Sequence, residues 1–183
     1  MTRLLIILDL DETLVYAAEQ PLERPCDFRA GAGYHVYLRP HVGTFLGACL
    51  EEFDLAVWSS AGADYVAQVV GRLFAEPSRL RFAWSGERCT RRFDEGSGTW
   101  CSVKDLRKLR RGGFDLARVL VVDDSPEKLQ RNFGNHVRVT PYLGQPDDDE
   151  LPLLLAYLRS LALLDDVRRV EKRAWRLRRR PEA

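Results

Sequence analysis

Arg3-Leu4-Leu5-Ile6-Ile7-Leu8-Asp9-Leu10-Asp11-Glu12-Thr13 (residues 3–13) sets the reading of the whole chain. Arg3 to Leu8 is a short apolar run, partly β-branched. It predicts a strand buried on both faces, as in a parallel sheet. The run stops at two aspartates one residue apart. Two later runs behave alike: Phe53 to Trp58 ends in Ser59-Ser60-Ala61-Gly62, and Arg118 to Val122 ends in Asp123-Asp124-Ser125-Pro126. Helical spacing covers three other stretches. His41 to Glu52, with Pro40 suited to its first turn, puts Val42, Phe45, Leu46 and Cys49 on one face. Ala63 to Phe74 repeats through Tyr65, Val66, Val69, Val70 and Leu73. Asp149 to Leu164 repeats through Leu151, Leu154, Leu155 and Leu158. Tyr34 to Leu38 and Val137 to Thr140 read as strands, and Val103 to Leu109 as a brief helical turn. Ala17 to Gly33, with Pro21, Pro25, Gly31 and Gly33, reads as a loop. Short stretches over Arg79 to Trp100 read as a small β insert. Alternating strands and helices predict an α/β fold with a mainly parallel sheet. Ligands in such sheets bind beyond the carboxyl ends of the strands, so the three polar clusters should meet at one edge.

A chain of 183 residues suits one domain able to bury a core. Hydrophobic content of 45% and charged content of 30% are ordinary for a soluble globular protein. The formal net charge of +1 gives no whole-chain nucleic-acid or membrane surface. The opening apolar run is too short for a signal peptide and is broken by Asp9 and Asp11. No run approaches the ~20 apolar residues of a membrane span. Cys26, Cys49, Cys89 and Cys101 show no CxxC spacing, which leaves a zinc site or redox pair unsupported. Cys89 and Cys101 can face each other across a hairpin as inert thiols. A reducing cytoplasmic compartment is the expectation. His35, His41 and His136 have no ligand spacing and read as structural.

Four aspartates converging at one edge cannot all stay ionised without a partner. A hard divalent cation with oxygen ligands answers that need, and magnesium is the usual choice beside phosphate. A carboxylate is also a recognised nucleophile in phosphoryl transfer, and a second one can serve as acid and base. Ser59 supplies a hydroxyl, and amides around Ser60 precede a helix, a place that favours phosphate oxygens. Lys104 can set an ammonium against phosphate.

Asp9-Leu10-Asp11-Glu12-Thr13 resembles the first motif, DxDxT, of the haloacid dehalogenase (HAD) superfamily of phosphatases. Trp58-Ser59-Ser60-Ala61 resembles its second motif, Lys104 its third, and Val121-Val122-Asp123-Asp124-Ser125-Pro126 its fourth. Within that superfamily the sequence is most similar to the small C-terminal-domain phosphatases, also called NLI-interacting-factor-like. Leu38-Arg39-Pro40-His41-Val42 and Val103-Lys104-Asp105-Leu106 add to the likeness, which runs from about Leu4 to about Leu161. The resemblance implies a Rossmann-like sheet with helices on both faces. It implies Asp9 as nucleophile and metal ligand, and Asp11 as general acid and base that binds metal through its carbonyl. It further implies Ser59, Ser60 and Lys104 on the phosphate, Asp124 on magnesium, and Asp123 and Thr13 in support. The family often has Thr at the Ser59 position and Asn at the Asp124 position. Serine keeps the hydroxyl, and aspartate adds a charge.

Asp11 and Ser59 are 48 positions apart, and Ser59 and Lys104 are 45 apart. Neither gap has room for a large cap domain. Residues 1–164 are expected to form the phosphatase domain, with residues 79–102 as its insert, and 165–183 a basic C-terminal helix or tail. An uncapped site suits phosphate on a macromolecule, and phosphoserine or phosphothreonine in a protein is the leading substrate. The alternatives are a nucleic-acid end phosphatase and a non-catalytic phosphopeptide-binding module. The former is motivated by Arg88, Arg91, Arg92 and by Trp175 in the basic run Arg168 to Arg180. Val167, Val170, Ala174 and Leu177 fall at helical spacing there, and a docked terminal helix is the plainer reading. No membrane partner is expected, and nothing in the sequence sets an oligomeric state.

Overall fold

The computed structural model describes residues 3–94, 96 and 98–176. Its strands are β1 (Leu5–Leu8), β2 (Val15–Ala18), β3 (Phe28–Ala30), β4 (Tyr34–Leu38), β5 (Asp54–Trp58), β6 (Ala83–Trp84), β7 (Thr90–Asp94), β8 (Thr99–Val103), β9 (Val119–Asp123) and β10 (His136–Arg138). The helices are α1 (Val42–Glu52), α2 (Ala63–Leu73), α3 (Arg107–Arg111) and α4 (Glu150–Ala162). Five strands form the main sheet in the order β10-β9-β1-β5-β6, and every pairing in it is parallel.

The three apolar runs occupy its centre, as double burial requires. Side chains alternate between the two faces of a strand. Ile6, Leu8, Leu55, Val57, Leu120 and Val122 join one core with Phe45 and Leu46 of α1, Val66 and Val69 of α2, and Leu154 and Leu158 of α4. Leu5, Ile7, Ala56, Trp58, Val119 and Val121 join a second core with Leu106, Leu109 and Leu129. Each aliphatic side chain so buried contributes on the order of 2 kcal/mol of transfer free energy.

Four expectations are corrected. Ala17 to Gly33 is not all loop: β2 and β3 flank β4 in a three-stranded antiparallel sheet, with Phe28 opposite Val36. Its Pro and Gly residues sit in the connections, which masked two short strands. Pro40 lies ahead of α1 rather than in its first turn, because His41 takes the N-cap with a left-handed φ of 67°. The insert is smaller than residues 79–102, since β6 joins the main sheet and the hairpin is β7 and β8 alone. In that hairpin Cys101 faces Arg92, so Cys89 and Cys101 are not cross-strand partners. All four cysteines are free thiols.

The C-terminal segment folds back without forming a long helix. A single 3-10 turn, Val167–Arg169, is followed by turns in which Trp175 is buried. The Trp175 indole stacks on Tyr157 and its Nε1–H donates to the Arg138 carbonyl at 2.7 Å. Helical spacing extended to Leu177, which lies outside the described residues. Among the described residues, no helix is long and apolar enough to cross a membrane.

Candidate active site

Register brings the polar clusters together. Leu8 pairs with Val57 on one side and Val122 on the other, so Asp9, Trp58 and Asp123 stand level as the strands end. The Asp9 N–H continues the ladder to the Val122 carbonyl at 3.0 Å. The chain then turns sharply. The Leu10 carbonyl accepts from the N–H groups of Thr13, Leu14 and Val15, and Glu12 adopts a left-handed φ of 60°. The two aspartates are thereby aimed apart.

Asp9 points into the buried cluster. Its Oδ1 is 3.0 Å from the Lys104 Nζ and its Oδ2 is 2.9 Å from the Lys128 Nζ. Lys104, fully buried, also reaches the Asp123 Oδ2 at 2.5 Å. Burial works to raise the Asp9 pKa, but the Lys104 and Lys128 ammoniums overcome it and hold the carboxyl below its ordinary value. Asp123 is pushed up to about 7 by burial and by the charge on Asp9, with the two lysines opposing. His136 backs the cluster, its Nε2–H donating to the Asp123 carbonyl at 2.8 Å.

Asp11 faces the other way, toward solvent and α2. It accepts a short hydrogen bond of 2.5 Å from the Tyr65 hydroxyl. Burial raises the Asp11 pKa; the Tyr65 bond opposes this and the charge on Asp9 adds to it. Asp11 opens on a cleft of about 420 Å³ whose walls include Tyr16, Ala17, Tyr34, Ala61 and Tyr65.

Ser59 is buried at the end of β5, and its Oγ accepts from the Ala61 N–H at 3.0 Å. Ser60 is exposed on the same loop. Gly86 holds that loop closely: a Cβ there would fall 2.4 Å from the Ser60 carbonyl oxygen. Thr13 is buried, and the structure gives its Oγ1 no hydrogen bond. Its carbonyl accepts from Arg39, a buried guanidinium that also grips Asp148 at 2.7 and 2.8 Å.

Carboxylate oxygens of Asp9, Asp123 and Asp124 lie within 4.8 Å of one another. The Asp124 Oδ2 accepts from Ser125, while its buried Oδ1 has no hydrogen bond. An all-oxygen donor set with an orphaned carboxylate oxygen fits a hard divalent cation. The Asp11 carboxylate is not in that group.

Three contributors escaped the sequence reading. Tyr65 carries the spacing of a core residue on α2, although its hydroxyl reaches Asp11. Arg39 was one residue of a quoted segment, with no sign that it ties the Asp9 loop to Asp148. Lys128 had a usable signal: the chain has four lysines against 24 arginines, and Lys128 lies four residues beyond Asp124.

An α/β sheet that ends in a DxDxT loop, a hydroxyl, a lysine and an acidic pair is the arrangement of the HAD-type fold. The chain belongs to the NLI interacting factor-like phosphatase family, whose model matches residues 4–168. It is 33% identical to carboxy-terminal domain RNA polymerase II polypeptide A small phosphatase 1 of Homo sapiens, over 90% of this chain and 62% of that one. It is 31% identical to the CTD nuclear envelope phosphatase 1 homolog of Drosophila melanogaster, over 95% of this chain and 74% of that one. The fold also resembles fission yeast RNA polymerase II CTD phosphatase Fcp1, with a TM-score of 0.56 and 24% identity, covering 76% of this chain and 42% of that one. The chain thus spans 62% of the human relative and 53% of a probable C-terminal domain small phosphatase of Dictyostelium discoideum. The cytoplasmic expectation is corrected: relatives matching 95% of this chain are named for the nuclear envelope. Reduced cysteines suit the nucleus as well as the cytosol, so thiol usage had no power to separate them.

Proposed function

We propose that this chain is a magnesium-dependent phosphomonoester hydrolase that works through a phosphorylated Asp9. The observation that carries the reading is the division of labour within one loop. Asp9 is buried, ionised and flanked by lysines, while Asp11 faces the open cleft with a raised pKa. A nucleophile needs the first environment and a general acid needs the second.

Asp9, Asp124 and the Asp11 carbonyl would hold magnesium, with Asp123 beside them. Bound there, the cation would neutralise charge on the transferring phosphoryl group. An Asp9 oxygen attacks phosphorus, the bond to the leaving alkoxide breaks, and Asp11 gives that oxygen its proton. Water then attacks the aspartyl phosphate while Asp11 takes the water's proton, and inorganic phosphate leaves with Asp9 restored. Lys104 offsets charge on Asp9 and the phosphoryl oxygens. Ser59 and the Ser60 region of the loop before α2 receive the remaining oxygens.

The substrate proposed is phosphoserine or phosphothreonine in a protein. The cleft beside Asp11 is open and tyrosine-lined, which suits the peptide around a phosphorylated residue. A relative is named as a phosphatase of the carboxy-terminal domain of an RNA polymerase II polypeptide, which supports a protein substrate. The nucleic-acid alternative loses Trp175, which is buried and cannot stack on a base. Release of p-nitrophenol from p-nitrophenyl phosphate, with and without magnesium, tests the reading. Metal-dependent turnover abolished in a folded Asp9→Asn variant is expected, and metal-independent turnover would contradict it. A phosphopeptide panel then tests the substrate class.

A further inference from the structure

Lys128 is a second cation on Asp9, beside the Lys104 that the reaction already uses to offset charge. Its Nζ is 2.9 Å from the Asp9 Oδ2 and 3.6 Å from the Asp123 Oδ1. Those carboxylates are two of the three that cluster for a cation. Lys104 already neutralises the other oxygens of the same two aspartates, at 3.0 and 2.5 Å. The two lysines also differ in freedom. Lys104 has no exposed surface, whereas the Lys128 side chain is 18% exposed. Lys128 rides on a single 3-10 turn, Pro126–Leu129, at the rim of the cluster. That turn is tied to Lys104 by the backbone, through the Lys104 N–H and the Lys128 carbonyl at 2.8 Å. The main chain is thereby anchored, while the partly exposed side chain gives the ammonium a way out toward solvent from its contacts with Asp9 and Asp123.

We propose that Lys128 is a displaceable counter-cation that competes with the divalent metal for Asp9 and Asp123. The proposal rests on the reading of this cluster as the metal site. An ammonium and a divalent cation on the same carboxylates repel one another strongly at such range. Metal entry must therefore drive the Lys128 ammonium off Asp9 and outward along its exposed side. In the metal-free chain the ammonium balances carboxylates that would otherwise be buried and mutually repulsive. Lys128 thus weakens metal binding and stabilises the metal-free fold.

The test is calorimetric titration of magnesium into the chelator-stripped full chain, as wild type, Lys128→Met, Lys128→Arg and Asp9→Asn. Melting of each, with and without magnesium, accompanies it. Lys128→Met is expected to bind magnesium about tenfold more tightly. It should melt lower than wild type without metal and approach it when loaded. Lys128→Arg keeps a cation in place and should titrate close to wild type. Folded Lys128→Met with unchanged or weaker affinity overturns the inference, and wild-type magnesium binding leaves the phosphatase reading standing. Absence of magnesium binding in wild type overturns both. A Lys128→Met chain that folds only with magnesium supports competition. One that magnesium cannot rescue overturns it, because Lys128 would then hold the fold in both states.

Discussion

Asp9 and Asp11 show how far one residue of separation can divide two carboxyl groups. The turn closed on the Leu10 carbonyl sends one into a cationic core and the other to Tyr65. Asp11→Asn should keep the fold and lower kcat by roughly 10²- to 10⁴-fold, the usual contribution of a positioned acid or base, as read by steady-state kinetics. Arg39 carries a second residue-scale prediction. Burial tends to raise the Asp148 pKa, and the Arg39 bonds more than reverse that, so the folded value lies below the ordinary one. A lowered carboxyl contributes stability that is present above its unfolded pKa of about 3.9 and lost as pH falls through the folded value. Asp148→Asn leaves a buried guanidinium poorly paired and should cost about 3 kcal/mol at neutral pH. Denaturant melts against pH should show a shallower acid loss in that variant. The motif aspartates and Ser59 were legible because strand ends are marked by abrupt changes from apolar to polar, and Lys104 through its likeness to the family's third motif. Tyr65 was not, and Lys128 was marked only by the rarity of lysine, because their contacts depend on how α2 and a 3-10 turn face Asp11 and Asp9.

Elements decide how closely those residues can gather. The loop after β5 and the turn after β6 touch so tightly at Gly86 that a side chain there would collide with the Ser60 carbonyl. Gly86→Ala should force that loop outward, costing about 1–3 kcal/mol in denaturant melts and lowering activity through Ser59. The long apolar runs announced their strands, since a doubly buried strand has little choice of residue. Short strands were harder. β2 and β3 draw their partners from β4 and not from their own composition. β6 has two residues, paired along one side with β5, and no periodicity can show in so short a span. The hairpin of β7 and β8 extends beyond the sheet with Phe93 and Trp100 exposed in an edge-to-face pair.

Across the whole molecule, the two basic residue types divide by role. Lys104 and Lys172 are buried, Lys128 is mostly so and Lys108 is partly exposed, whereas among the described arginines Arg39 alone is buried. The basic C-terminal segment follows from this and is part of the packed body as far as residue 176. Its Trp175 shares the core with α4. Trp175→Ala should therefore cost about 3 kcal/mol in denaturant melts, as large buried aromatics do. A freely mobile tail would lose nothing. Spacing suggested a docked helix there; the segment docks through a 3-10 turn and further turns instead, because periodicity reports an apolar face and not the backbone that presents it. The central claim is a covalent phosphoryl group on Asp9. The direct measurement is acid quench of turnover with radiolabelled p-nitrophenyl phosphate, whose leaving group needs no proton from Asp11, in the Asp11→Asn variant, whose hydrolysis step is slowed; one portion is mapped for label and a second is mapped after borohydride reduction. Conversion of residue 9 to homoserine is the result predicted here. Turnover with no label on the chain, or label on a residue other than Asp9, would contradict the mechanism.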